Sequence, residues 1–120
     1  MRLYTAQLAK WRIAQKQQLT LVDTTTKSGL AMFAPDWGNV AAYKKGVMGE
    51  AEYTDLYLEK MRQSYREKKS VWLQFIKQDT VVIACYCPSG KFCHRHLLKE
   101  ILERLCVQQG VDFEYVGELE

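Results

Sequence analysis

A chain of 120 residues can build one hydrophobic core and is too short for two, which excludes a linked catalytic and regulatory pair of domains. Its 48% hydrophobic and 26% charged content is that of an ordinary globular protein, and no window is apolar for long enough to span a bilayer. The net charge of +3 and pI near 8.7 permit a nucleic-acid partner without implying one, because Lys and Arg are interspersed with Glu through EKMRQSYREKK.

The opening MRLYTAQLAKWRIAQ lacks the apolar core and small-residue cleavage site of a secretion signal, so a cytoplasmic location without membrane attachment is expected. RLYT, residues 2 to 5, reads as a short strand. LAKWRIAQKQQ, residues 8 to 18, reads as a helix of good helix formers. LTLVD, residues 19 to 23, is a second strand stopped by the polar run TTTKSG. Residues 31 to 50 carry the first proline and three of the seven glycines, and read as an irregular excursion with one short helix, of the kind that closes over a site.

Tyr53, Tyr57, Met61 and Tyr65 recur every four residues, which places them on one face of a helix where core packing is their first role. Ser70 is placed to cap a following helix through VWLQFIKQ. TVVIACYC, residues 80 to 87, is nearly continuous apolar sequence ending at Pro88, as in a central parallel strand covered on both faces. Leu97, Leu98, Ile101, Leu102, Leu105 and Cys106 then repeat with helical spacing, predicting a helix over about 94–109, with Glu100 and Arg104 as an i,i+4 pair and Gly110 just past its end. VDFEYV, residues 111 to 116, alternates apolar with acidic residues and reads as a last, half-exposed strand. This order predicts an α/β fold: a single three-layer domain, residues 1–120, with a small mostly parallel sheet flanked by helices and a helical or irregular insertion at about 30–78.

Sites in such sheets lie beyond the carboxyl ends of the strands, and one of those ends is ACYCPSGKFCHRH, residues 84 to 96. It holds three of the four cysteines and both histidines. In a reducing compartment such clustering points to metal binding or reactivity rather than to disulfides. The free backbone N–H groups at the start of the following helix favour an anion, Lys91 and Arg95 add to that pull, and the same field favours the thiolate of Cys93. Known phosphate loops do not match. In a G-x-x-x-x-G-K-[ST] pattern Cys85 replaces the first glycine and Phe92 the hydroxyl residue, and in a C-x5-R loop counted from Cys87 the arginine position falls on Cys93.

The rival reading is zinc, held by Cys85, Cys87, Cys93 and His94 or His96. An extended strand puts positions 85 and 87 on one face, although C-x-C is a less common zinc unit than C-x-x-C and no second knuckle exists. A thiol redox role for Cys85 and Cys87 is a third reading, against which the spacing again speaks. Several residues have plainer assignments: Cys85 and Cys106 as small core residues, His96 and Lys91 as solvated, and Trp37 as buried, the commoner outcome, rather than stacked on a ligand ring. Cys93, His94 and Arg95 are the hardest to assign to packing. Asp23, ending the second strand, is placed to orient His94, to act as general base or to pair with Arg95, or more simply to cap the turn after it. Thr24, Thr25, Lys27 and Ser28 can supply donors to the same pocket.

LYTAQ, LVDTTTKSG, FAPDW, the tyrosine-rich helix and above all CYCPSGKFCHRHLL together resemble the domain-of-unknown-function family numbered 488, found in bacteria and phages. The resemblance covers almost the whole chain. It implies a compact α/β fold in which a Cys-His-Arg signature falls on Cys93, His94 and Arg95, a strand cysteine on Cys85 and a second-strand acid on Asp23. Many members carry an acidic residue where this chain has Cys87, which argues against a zinc site that depends on that thiol. The function expected is a small hydrolase or group transferase acting on a phosphate-bearing, nucleotide-like ligand. Cys93, His94, Arg95 and Asp23 are its expected catalytic residues, and Cys85, Lys91, Thr24 and Lys27 its ligand-binding residues. No cofactor is expected on this reading. The alternative is a zinc-stabilised binding module, with nucleic acid as a partner it would permit.

Overall fold

The computed structural model describes residues 1–87 and 92–120. Among these, the sheet has four strands, all parallel, in the order β2-β3-β1-β4. The strands are β1 (Arg2–Gln7), β2 (Thr20–Asp23), β3 (Thr80–Cys85) and β4 (Glu114–Leu119). The helices are α1 (Trp11–Lys16), α2 (Trp37–Lys44), α3 (Glu50–Glu67), α4 (Lys69–Phe75) and α5 (His94–Gln109). This is the α/β architecture that the alternation of elements predicts.

Strand alternation sorts the core into two layers. Leu3, Val81 and Ile83 face one way and pack under Tyr57, Met61, Trp72, Leu98 and Leu102 from α3, α4 and α5. Ala6, Val82 and Ala84 face the other way, against Ala14 and Ile13 of α1. Helices therefore cover both faces, which is why β3 can be apolar at nearly every position. Leu98 and Leu102 are fully buried, each worth roughly 1.5–3 kcal/mol. Gly110 ends α5 in the left-handed region (φ 69°), and Val111 N–H reaches back to Cys106 O at 2.8 Å. The 31–33 turn is tied to α3 by Tyr57 Oη donating to Phe33 O at 2.8 Å and Ser64 Oγ donating to Met32 O at 2.8 Å. Among the described residues, no helix is long and apolar enough to cross a membrane.

Several boundaries differ from the sequence expectation, each for a reason of pairing. β3 stops at Cys85 rather than at residue 87, because its neighbours end there: Gln7 pairs with Cys85, and Asp23 with Ala84. β4 occupies Glu114–Leu119 rather than 111 to 116. Its partner β1 begins at Arg2, which pairs with Glu114, so the residues before 114 have no strand beside them with which to extend the ladder. The first helix divides into a 3-10 turn (Leu8–Lys10) and α1. Lys68, not Ser70, holds the position before α4, where the backbone breaks from α3, and it makes no side-chain cap. Arg104 and Glu100 form no ion pair.

The loop after β2 depends on a residue without a side chain. A Cβ on Gly29 would fall against Thr25 N and, at 2.5 Å, against Asp23 O, both rigid backbone. Gly29→Ala should therefore destabilise the protein by about 1–3 kcal/mol in urea unfolding; a variant as stable as the parent would contradict this loop packing.

Candidate functional site

The carboxyl ends of β2 and β3 meet the start of α5, and the short parallel strands bring together side chains that lie 70 residues apart. Cys85 ends β3 on the face that α5 covers, and Cys93 is the residue before the first turn of α5, in extended backbone (φ −156°, ψ 151°). Their sulfurs touch. The Cα atoms, however, stand 7.8 Å apart, beyond the roughly 4.4–6.8 Å span of bridged cysteines. His94 is the third member: Sγ of Cys85, Sγ of Cys93 and a ring nitrogen of His94 all lie within 4.8 Å of one another.

The protonation of His94 follows from its neighbours. Thr24 Oγ1 donates its only proton to Ala84 O at 2.9 Å, so toward His94 Nε2, also 2.9 Å away, it acts as acceptor. Thr24 O, 2.9 Å from the same nitrogen, is an acceptor too. In the neutral ring Nε2 therefore carries the hydrogen and donates it. Nδ1 presents its lone pair to Cys93 Sγ at 3.6 Å. Burial pushes the imidazole down to about 4, with Arg95 adding in the same direction; the bond to the Thr24 carbonyl and the Asp23 charge oppose this and lose. The ring is neutral through the physiological range.

Arg95 is fully buried, and its guanidinium binds within the protein. It forks onto Glu118, Nη2 to Oε2 at 2.7 Å and Nε to Oε1 at 3.3 Å. Nη1 donates to Cys87 O at 2.8 Å and to Cys85 Sγ at 2.9 Å. Thr5 Oγ1 donates to Glu118 at 2.6 Å and accepts from Tyr115 Oη at 2.6 Å. Burial works to raise the Glu118 carboxyl, but the bonds from Arg95 and Thr5 outweigh it and hold it below its ordinary value.

These contacts correct three expectations. Asp23 does not pair with Arg95, because Glu118 is the partner. It does not orient His94 by a hydrogen bond, because Thr24 does. Asp23 instead closes the turn after β2, accepting from Thr25 N–H at 2.9 Å and from the Ser28 hydroxyl, bonds that hold it below its ordinary value against the opposing effect of burial. Cys87 lies past the end of β3, half-buried, and the Cys85, Cys93 and His94 cluster forms without it. His96 is half-buried in α5. Lys91 lies outside the described residues.

Above the sulfurs opens a cavity of about 510 Å³. Cys85, Cys87, Cys93 and His94 line its floor, and Trp37, Val40, Tyr43, Tyr53, Tyr86 and Phe92 its apolar walls. Tyr43, Tyr53 and Phe92 form one aromatic group, with ring centroids 5.3 to 5.8 Å apart. Trp37 is exposed rather than buried, and Lys27 Nζ sits 5.5 Å from its ring centre. Lys27 and Lys44 are the cationic side chains among the described lining residues. Tyr53, at helical spacing with Tyr57, reads first as core and is both core and wall; Tyr43 and Phe92, which pack on it, carry no sequence signal that brings them to the same place. Sequence reasoning missed Glu118 because the last strand was expected to end before it.

A family model described as the active DUF488-N3 subclade, DUF488-N3a, matches residues 2–105. No curated protein and no solved structure matches the chain.

Two outcomes follow from the buried charges. Glu118→Gln leaves the Arg95 cation without its counter-charge and should cost about 3–5 kcal/mol in urea unfolding, much of it recovered in an Arg95→Met, Glu118→Leu double variant. His94 is neutral when folded, while its ordinary value is 6.5. Unfolding therefore takes up a proton in this window: stability is full above pH 6.5 and falls toward pH 4. At about 1.4 kcal/mol per pH unit this amounts to on the order of 3 kcal/mol. His96, also held low by burial, adds in the same direction, whereas Asp23 and Glu118 act at lower pH. Thermal unfolding of His94→Gln should show a flatter profile across that range.

Proposed function

The chain belongs to the DUF488 family, and we propose that it is a small enzyme, a hydrolase or group transferase, acting on a phosphate-bearing, nucleotide-like ligand held in the aromatic cavity. The observation that carries this reading is the pairing of Cys93 Sγ with the His94 Nδ1 lone pair at 3.6 Å on the cavity floor, with the ring tautomer set from behind by Thr24. The description of the matched subclade as active agrees with a working site.

In this reading His94 Nδ1 takes the Cys93 proton as the sulfur attacks the ligand's electrophilic centre. The imidazolium then returns that proton to the leaving group, and water or a second nucleophile releases the product from Cys93. The start of α5 favours the sulfur as thiolate. Trp37, Tyr43 and Phe92 offer flat faces to a ring, and Lys27 and Lys44 offer charge to a phosphate. Arg95 is a positioning residue: it holds Cys85 and the Cys87 carbonyl rather than the ligand. Asp23 shapes the loop that carries Thr24 and Lys27.

Alkylation tests this directly. Reduced protein is treated with iodoacetamide, and each cysteine is followed by peptide mass spectrometry with and without a panel of nucleoside monophosphates. Cys93 should label faster than Cys106, and one member of the panel at ten times its Kd should slow that labelling about tenfold. Trp37→Ala should weaken the protection. Labelling that no nucleotide alters would overturn the reading.

A further inference from the structure

The three ligand atoms of the floor have a second use. Tetrahedral zinc bonds thiolate sulfur at about 2.3 Å and imidazole nitrogen at about 2.0–2.1 Å, which places a bound sulfur and nitrogen about 3.6 Å apart. Cys93 Sγ and His94 Nδ1 stand at 3.6 Å. Tetrahedral zinc holds two sulfurs about 3.8 Å apart, so the touching sulfurs of Cys85 and Cys93 must part to admit it; their Cα atoms, 7.8 Å apart and wider than a disulfide takes, leave room for that.

The surroundings fit as well. The nitrogen facing away from the sulfurs donates to a backbone carbonyl, Thr24 O, as metal-bound histidines characteristically do. Arg95 Nη1 donates to Cys85 Sγ at 2.9 Å, and the start of α5 lies at Cys93, so both sulfurs sit where negative charge is favoured. All three side chains are buried, yet all three reach the cavity floor. A fourth coordination position therefore faces the cavity.

We propose that Cys85, Cys93 and His94 bind one zinc ion, and that zinc switches the site off by occupying the nucleophilic sulfur and the lone pair of its base. The binding half stands on geometry alone; the regulatory half rests on the enzyme reading above. Binding releases the two thiol protons and leaves the Nε2 hydrogen in place, and no electrons are transferred.

Cobalt(II), a spectroscopic stand-in for zinc, tests the binding on the wild-type chain after reduction and chelation, with all four thiols counted beforehand. One equivalent should produce a thiolate-to-cobalt charge-transfer band and tetrahedral visible bands, and zinc should bleach both. Cys85→Ser and His94→Gln, checked for folding by circular dichroism, should each weaken binding by tenfold or more. One equivalent of zinc should slow Cys93 alkylation at least tenfold, and EDTA should restore it. Absence of the band, its persistence in both variants, or a Cys85–Cys93 disulfide that survives reductant would overturn the site. Unchanged alkylation in zinc-loaded protein would overturn the switch. Nucleotide protection of the metal-free protein is read separately, so failure of the enzyme reading and failure of the zinc site are told apart.

Discussion

The Arg95–Glu118 pair organises this end of the molecule. A guanidinium cannot be taken from water without a counter-charge and hydrogen-bond acceptors, and here Glu118, the Cys87 carbonyl and the Cys85 sulfur are among them. Those acceptors come from β4, from the segment after β3 and from β3 itself. The cation thus fixes the edge strand against α5, directs the chain as it leaves β3 and sets the position of one sulfur. The forked geometry suits arginine in a way a lysine could not reproduce.

The chemistry of the floor follows from what is buried around His94. Desolvation outweighs both the Asp23 charge and the Thr24 carbonyl, so the ring stays neutral and one nitrogen keeps its lone pair. The Thr24 hydroxyl has already given its proton to Ala84 O, which decides the tautomer. A neutral imidazole with a fixed hydrogen on one side and two sulfurs on the other suits proton transfer from a thiol and coordination of a soft cation alike. The two roles exclude each other at any moment, and that exclusion is the basis of the proposed zinc control.

Recognition and chemistry come from different parts of the chain. The sheet and α5 supply the sulfurs and the imidazole on rigid supports, while residues between β2 and β3 supply Trp37, Tyr43 and Tyr53 as walls. α2 buries no residue fully, so its aromatic side chains remain available to the cavity. Such a division lets the walls vary in sequence while the floor keeps its geometry.

Much of the fold was legible from local pattern. The helix over 94–109, Gly110 beyond it, the apolar β3 and the core role of Cys106 depend on periodicity and capping, which the residues themselves carry. The gathering of Cys93 and His94 at a helix start was equally readable. Arg95 reads as an anion holder because nothing adjacent in sequence competes for it; its partner is 23 positions away on a strand whose register is set by pairing with β1. Cys87 reads as a strand residue because its own segment is apolar, while the length of that strand is set by where its neighbours end. The sequence by itself determined the elements and the reactive residue types, since these follow from short-range propensity. Only the tertiary structure decided which acid meets Arg95, which sulfurs meet and what covers them, because those choices depend on parallel pairing between segments far apart in the chain.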